Sequence, residues 1–135
     1  MEYQDKIAWL KRYRDDLEPL RSLVVEAQEV RSIEEGLSMN WSGMPSGGDG
    51  PTKAERAMEA LEALGEQITA EKDMLLARRA EIIKAIESIQ DKRQRDVLRY
   101  LYINGFSWPE VSAWTGYDKW YVHRLHNRAV DSLKI

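Results

Sequence analysis

Two histidines, His123 and His126, stand three residues apart in a chain of 135 residues that contains no cysteine. That spacing could bring two imidazoles to one side of a helix, where they could share a metal ion. The carboxylates near them are only Asp118 and Asp131, so a third ligand is lacking and no metal site is expected. Neutral hydrogen-bonding histidines, one facing outward and one facing a core, are the expected state. The absence of cysteine excludes disulfides, thiolate nucleophiles and Cys-based zinc sites. Gly43 and Gly48 have the separation found in a phosphate-binding loop, but Asp49 occupies the place of the lysine that would reach the phosphates. Glu55, Glu59, Glu62, Glu66 and Glu71 recur at three-to-five-residue spacing on a predicted rod, which offers no pocket for acid–base work. The chain is therefore expected not to be an enzyme, and no cofactor is implied.

What remains is a run of cationic and aromatic side chains near the end of the chain: Lys119, Trp120, Tyr121, His123, Arg124, Asn127 and Arg128. The charge follows the same division. Residues 1–90 hold 12 Lys/Arg against 18 Asp/Glu, a balance of −6, whereas residues 91–135 hold 8 against 5, a balance of +3. Eight of the twelve aromatics also fall in residues 91–135, which makes that third the expected compact part.

The elements that must position these residues are helical. From residue 3 to about residue 35, Tyr3, Leu10, Leu17 and Val24 repeat every seven residues, with Tyr13, Leu20 and Ala27 three positions after the last three. Pro19 interrupts this stripe; its ring cannot donate to the Asp15 carbonyl, so a kink or short break is expected there. Residues 36–51 carry five of the eight glycines and two of the four prolines and read as a flexible connector. Thr52 and Glu55 form a capping box that opens a second helix. Leu61, Ile68, Leu75, Ile82 and Ile89 then repeat at sevens, with Ala57, Leu64 and Ala85 between them and Glu71 and Arg78 as interruptions. A rod of roughly 55 Å results.

Two rods of similar length joined by a connector predict an antiparallel helical hairpin. Leu20, Leu23, Val24, Val25, Ile83 and Ile86 occupy more than one helical face, so a homodimer through the N-terminal helices is expected. The alternative cover for those residues is the C-terminal third of the same chain.

Three shorter helices are predicted after residue 90. The first covers Asp91 to Ile103, with Val97, Leu98 and Leu101 facing inward and Asn104-Gly105 as its stop. Ser107-Trp108-Pro109-Glu110 is a second capping box, with proline in the first turn, opening a short helix through Trp114. Thr115-Gly116-Tyr117 makes a turn, and Asp118 caps a last helix to about Leu133. Helix, a three-residue turn containing glycine, helix is the spacing of a helix-turn-helix. Val111, Val122, Leu125, Ala129 and Leu133 would face one another and Val97 and Leu101. The domain division is thus 1–90, a helical coiled-coil oligomerisation arm with a loop at 36–51, and 91–135, a helix-turn-helix DNA-binding domain in an all-α fold.

Residues 91–135, from Asp91-Lys92-Arg93-Gln94-Arg95 through Trp108-Pro109-Glu110-Val111 to the end, resemble the fourth conserved region of bacterial sigma factors. The run Arg124-Leu125-His126-Asn127-Arg128-Ala129-Val130 is similar to the recognition-helix ending of ArpU/RinA-type late transcriptional regulators of phages and prophages. The resemblance implies a DNA-binding transcription regulator whose last helix enters the major groove, with RNA polymerase as a further partner. Thr115 departs from the bulky aliphatic residue usual before the turn glycine, which leaves Trp114 or Tyr117 to fill the gap. Trp120 stands where such domains carry a small or polar residue.

On this reading Lys119, Trp120, His123 and Arg124 meet bases of double-stranded DNA. Tyr121, Asn127, Arg128 and Lys134 follow the backbone, joined by Lys92, Arg93, Arg95 and Arg99 from the first of the three helices. Trp120 has two assignments, packing on thymine methyls or completing the core beside Trp114. Two other functions share the pattern: a small terminase subunit-like packaging protein, and an RNA polymerase-binding adaptor without DNA readout. The first residues, Met1-Glu2-Tyr3-Gln4-Asp5, lack a secretory pattern and no apolar run approaches ~20 residues, so a cytoplasmic protein with no membrane partner is expected.

Overall fold

Five α-helices and no strand make up the described residues, 1–39 and 52–135 of a computed structural model; the fold is all-α. The helices are α1 (Tyr3–Met39), α2 (Lys53–Glu87), α3 (Lys92–Tyr102), α4 (Trp108–Thr115) and α5 (Lys119–Ser132). The Gly43–Gly48 comparison and most of the expected connector lie outside the described residues.

Helix α1 differs from expectation in two ways. It continues through Pro19 without a break and runs on to Met39, past the expected end near residue 35. Proline costs one helical bond and crowds the preceding turn, but the turns on either side hold their own bonds, and Pro19 itself is exposed. Helix α2 starts as its capping box requires: the Glu55 amide donates to Thr52 Oγ1 at 3.1 Å, and the Thr52 amide donates to Glu55 Oε2 at 3.2 Å.

The chain divides into two compact units. One contains Met1–Leu17 and Leu75–Ile135; the other contains Glu18–Met74. The change in sequence character at residue 90 is therefore not where the compact units part, because the start of α1 and the end of α2 belong with the three short helices.

The core of the first unit shows why. Leu10, Ile82, Ile86 and Ile89 are buried in one cluster with Val97, Leu98, Val111, Val122, Leu125, Ala129, Val130 and Leu133. Every inward position expected for the three short helices is buried there. Ile86, a candidate for a dimer seam, is fully buried within the chain; here the C-terminal third is its cover. Arg12 pairs with Glu81 at 3.1 Å and Asp16 with Arg78, so numbers rise along one segment as they fall along the other, an antiparallel course inside this unit.

In the second unit Ala57 and Leu64 are buried, while Leu20, Leu23, Val24, Leu61 and Ile68 are only half-buried. Val25, Ile33 and Met58 are at least half exposed, at 50%, 60% and 51%.

Candidate nucleic-acid interface

Helix α5 is placed by its caps and its buried face. Ser107 Oγ accepts from the Glu110 amide and the Glu110 carboxylate accepts from the Ser107 amide, which closes the start of α4. Gly116, at φ +77°, ends α4 and reverses the chain in a conformation that a Cβ would disfavour. Thr115 Oγ1 donates to the Val111 carbonyl at 2.7 Å and accepts from the Tyr117 amide at 3.2 Å, which holds the turn. Asp118 then accepts from the Tyr121 amide at 3.0 Å and caps α5. Of the two aromatics beside Thr115, Tyr117 packs against the core and Trp114 is 69% exposed.

Along α5, Val122, Leu125, His126, Ala129 and Val130 face inward. The outer face carries Trp120, Arg124, Asn127 and Asp131, with Lys119 and Arg128 also exposed. Trp120, His123, Arg124 and Asn127 line one shallow concavity. Trp120 is 72% exposed and does not complete the core beside Trp114; that assignment is corrected. The Lys119 ammonium lies 5.3 Å from its ring centre.

The two histidines have separate surroundings. His123 stacks on Trp108 at 4.2 Å, with planes 12° apart, which fixes the ring at the edge of the outer face. His126 is buried, with Nε2 2.7 Å from Tyr102 Oη. Burial holds its pKa below the ordinary histidine value and a charge on His123 acts the same way, while the Asn127 hydrogen bond partly opposes them. Burial likewise pushes the Tyr102 hydroxyl up.

The cations expected to follow the DNA backbone divide into two groups. Arg128 and Lys134 are exposed and form no ion pair among the described residues. Those of α3 are occupied. Lys92 pairs with Asp96 at 2.7 Å, and Arg99 pairs with Glu87 at 3.0 Å. Arg95 donates to the carbonyls of Ile89 and Gln90 at 2.7 and 3.0 Å, just beyond the end of α2, where orphan carbonyls need a donor. Arg93 donates to Tyr121 Oη at 2.6 Å, and the Arg124 guanidinium lies 5.7 Å from the same ring. Arg93, Tyr121 and Arg124 thus form one cluster across α3 and α5, whereas Arg95 is turned to the α2 end. Asn127 is also engaged, since its Oδ1 accepts from Tyr3 Oη at 2.8 Å.

Tyr3, Lys6, Tyr102 and Trp108 were not among the expected site residues. Lys6 Nζ donates to the carbonyls of Val130 and Asp131 at 3.1 and 3.2 Å, near the end of α5. Tyr3 reads locally as a seam position, and no spacing rule links it to a residue 124 positions away.

The face so built has exposed cations beside an exposed aromatic on a helix held from behind, an arrangement able to contact phosphates and base edges. Comparison with protein-family models, curated proteins and solved structures finds no match for this chain.

Proposed function

We propose that this chain is a sequence-specific DNA-binding transcriptional regulator of phage or prophage type, with α4 and α5 acting as a helix-turn-helix and α5 entering the major groove. The observation that carries the reading is the outer face of α5. Trp120, Arg124 and Arg128 stand exposed on a helix whose opposite face is sealed in the core. Lys119, Trp120, His123 and Arg124 are the base-reading set, and Arg128 and Lys134 are the phosphate set. Arg93 belongs with them through Tyr121. Arg95 and Arg99 act within the protein and hold α3 to the end of α2, while Lys92 pairs within α3.

The reading includes a homodimer. A balance of +3 over residues 91–135 neutralises few phosphates, and two heads double the contacts. The half-covered stripes of Glu18–Met74 supply a surface for the second copy. RNA polymerase is a proposed further partner of the resulting complex.

Selection from a random duplex pool with the full chain, followed by mobility shift, tests the reading. The expected result is an enriched palindromic or directly repeated motif bound in a salt-sensitive manner. Absence of any enriched motif, with no shift at low micromolar protein, would overturn it. Mass measurement of the free protein gives a dimer on this reading, and a closed ring of many subunits would favour packaging instead.

A further inference from the structure

His126 is 2% exposed, yet both of its ring nitrogens have partners. Nε2 lies 2.7 Å from Tyr102 Oη on α3. Nδ1 lies 3.2 Å from Asn127 Oδ1 and 3.5 Å from Tyr3 Oη, and Tyr3 Oη itself donates to that Asn127 oxygen at 2.8 Å. An amide oxygen only accepts, so Nδ1 must carry the proton. Nε2 of the neutral ring is then the acceptor of the Tyr102 hydroxyl. One tautomer satisfies the whole chain of bonds.

Apart from His123, whose charge acts on it, the groups facing the ring carry no charge. Tyr3 comes from α1, Tyr102 from α3, and Trp108 from α4, edge-on at 4.8 Å; Asn127 and His123 share α5 with it. Charged groups stand farther off. Lys11, Arg14 and Asp15 of α1 and Glu110 of α4 border the same cleft, and Asp131 acts on Tyr3. No carboxylate bonds the imidazole among the described residues.

We infer that neutral His126 is a latch holding the first turn of α1 on α5, and that its protonation releases that turn. A proton taken from solvent at Nε2 turns this nitrogen from acceptor to donor against Tyr102. The Tyr102 hydroxyl must then turn its own proton away inside the core, and the imidazolium has no buried anion beside it. The cleft bordered by Tyr3 is the ring's route to water, and opening it breaks the Tyr3–Asn127 bond. Lys6 bonds the Val130 and Asp131 carbonyls, and Ile7 and Leu10 pack in the core, all without His126, so α1 stays docked beyond Tyr3. Asn127, on the outer face of α5, is freed. The inference makes no use of nucleic acid and stands or falls apart from the function proposed above.

The test uses the full chain with Glu2→Cys, a unique labelling position because the chain has no other cysteine, carrying a nitroxide read by electron spin resonance. The label is expected to be restricted at about pH 7.5 and mobile at about pH 5.5, with a midpoint below the ~6.5 of a free imidazole. Far-UV circular dichroism should stay constant across the range. Tyr3→Phe, which removes only the hydroxyl, should be mobile at both pH values, and His126→Gln should show no pH dependence. A label equally restricted at both pH values in the parent chain would overturn the inference. So would a transition that persists in Tyr3→Phe, or one that coincides with loss of helix.

Discussion

Arg124 and Trp120 lie one turn apart on the outer face of α5, and neither contributes to the core. Arg124→Ala is expected to weaken specific DNA binding by about 1–3 kcal/mol if it reads a base, with thermal stability unchanged; isothermal titration against the selected duplex measures it. The same helix shows what a linear reading misses. Capping residues are legible because their partners lie within three residues, and inward apolar positions because they repeat every three or four. The partners of Arg95 just beyond α2, of Arg99 on α2 and of Asn127 on α1 are set by packing. His126 adds a pH dependence of folding. Its folded pKa is depressed, so its contribution is fully present above the unfolded value of ~6.5 and is lost as pH falls from there through the folded pKa. The thermal midpoint should therefore drop between about pH 7 and pH 5, and His126→Gln should flatten that part of the profile.

At the scale of elements, α4 is eight residues long, too short to persist without its caps. Ser107→Ala removes the acceptor for the Glu110 amide and should cost about 0.5–2 kcal/mol in denaturant unfolding. Gly105 and Gly116 both hold positive φ, at +82° and +77°. Alanine at Gly116 meets no neighbour and should cost about 1–2 kcal/mol from backbone strain alone. Alanine at Gly105 would also meet the guanidinium of Arg14, the free end of a flexible side chain that can swing aside. The two substitutions should therefore have similar costs, and a much larger loss for Gly105→Ala would show that Arg14 is fixed in place. The caps, the glycine turn and the five helices were readable from the sequence, whereas continuity through Pro19 was not. One proline is weighed locally against a helix whose neighbouring turns support it on both sides.

For the whole molecule, the sequence divides at residue 90 by charge and aromatic content, but the compact unit with the three short helices also takes in Met1–Leu17 and Leu75–Gln90. Leu10, Ile82 and Ile86 are fully buried in its core, and removing each should forfeit roughly 1.5–3 kcal/mol of apolar burial. A fragment of residues 91–135 alone is thus expected to be markedly less stable than the full chain, or partly folded, by calorimetry; equal stability would show that the short helices form a self-sufficient core. Among the described residues no helix is long and apolar enough to cross a membrane.

The sequence by itself determined the helices, their caps, the glycine turn and the inward face of each short helix, because these depend on residues a few positions apart. Only the tertiary structure decided which cations are already occupied, where Trp120 points and what lies against α5. What lies against α5 follows from contacts between segments more than a hundred residues apart, such as Tyr3 with Asn127 and Lys6 with Val130, and the α3 cations take partners that packing selects, such as Glu87 for Arg99; local periodicity carries no information on either.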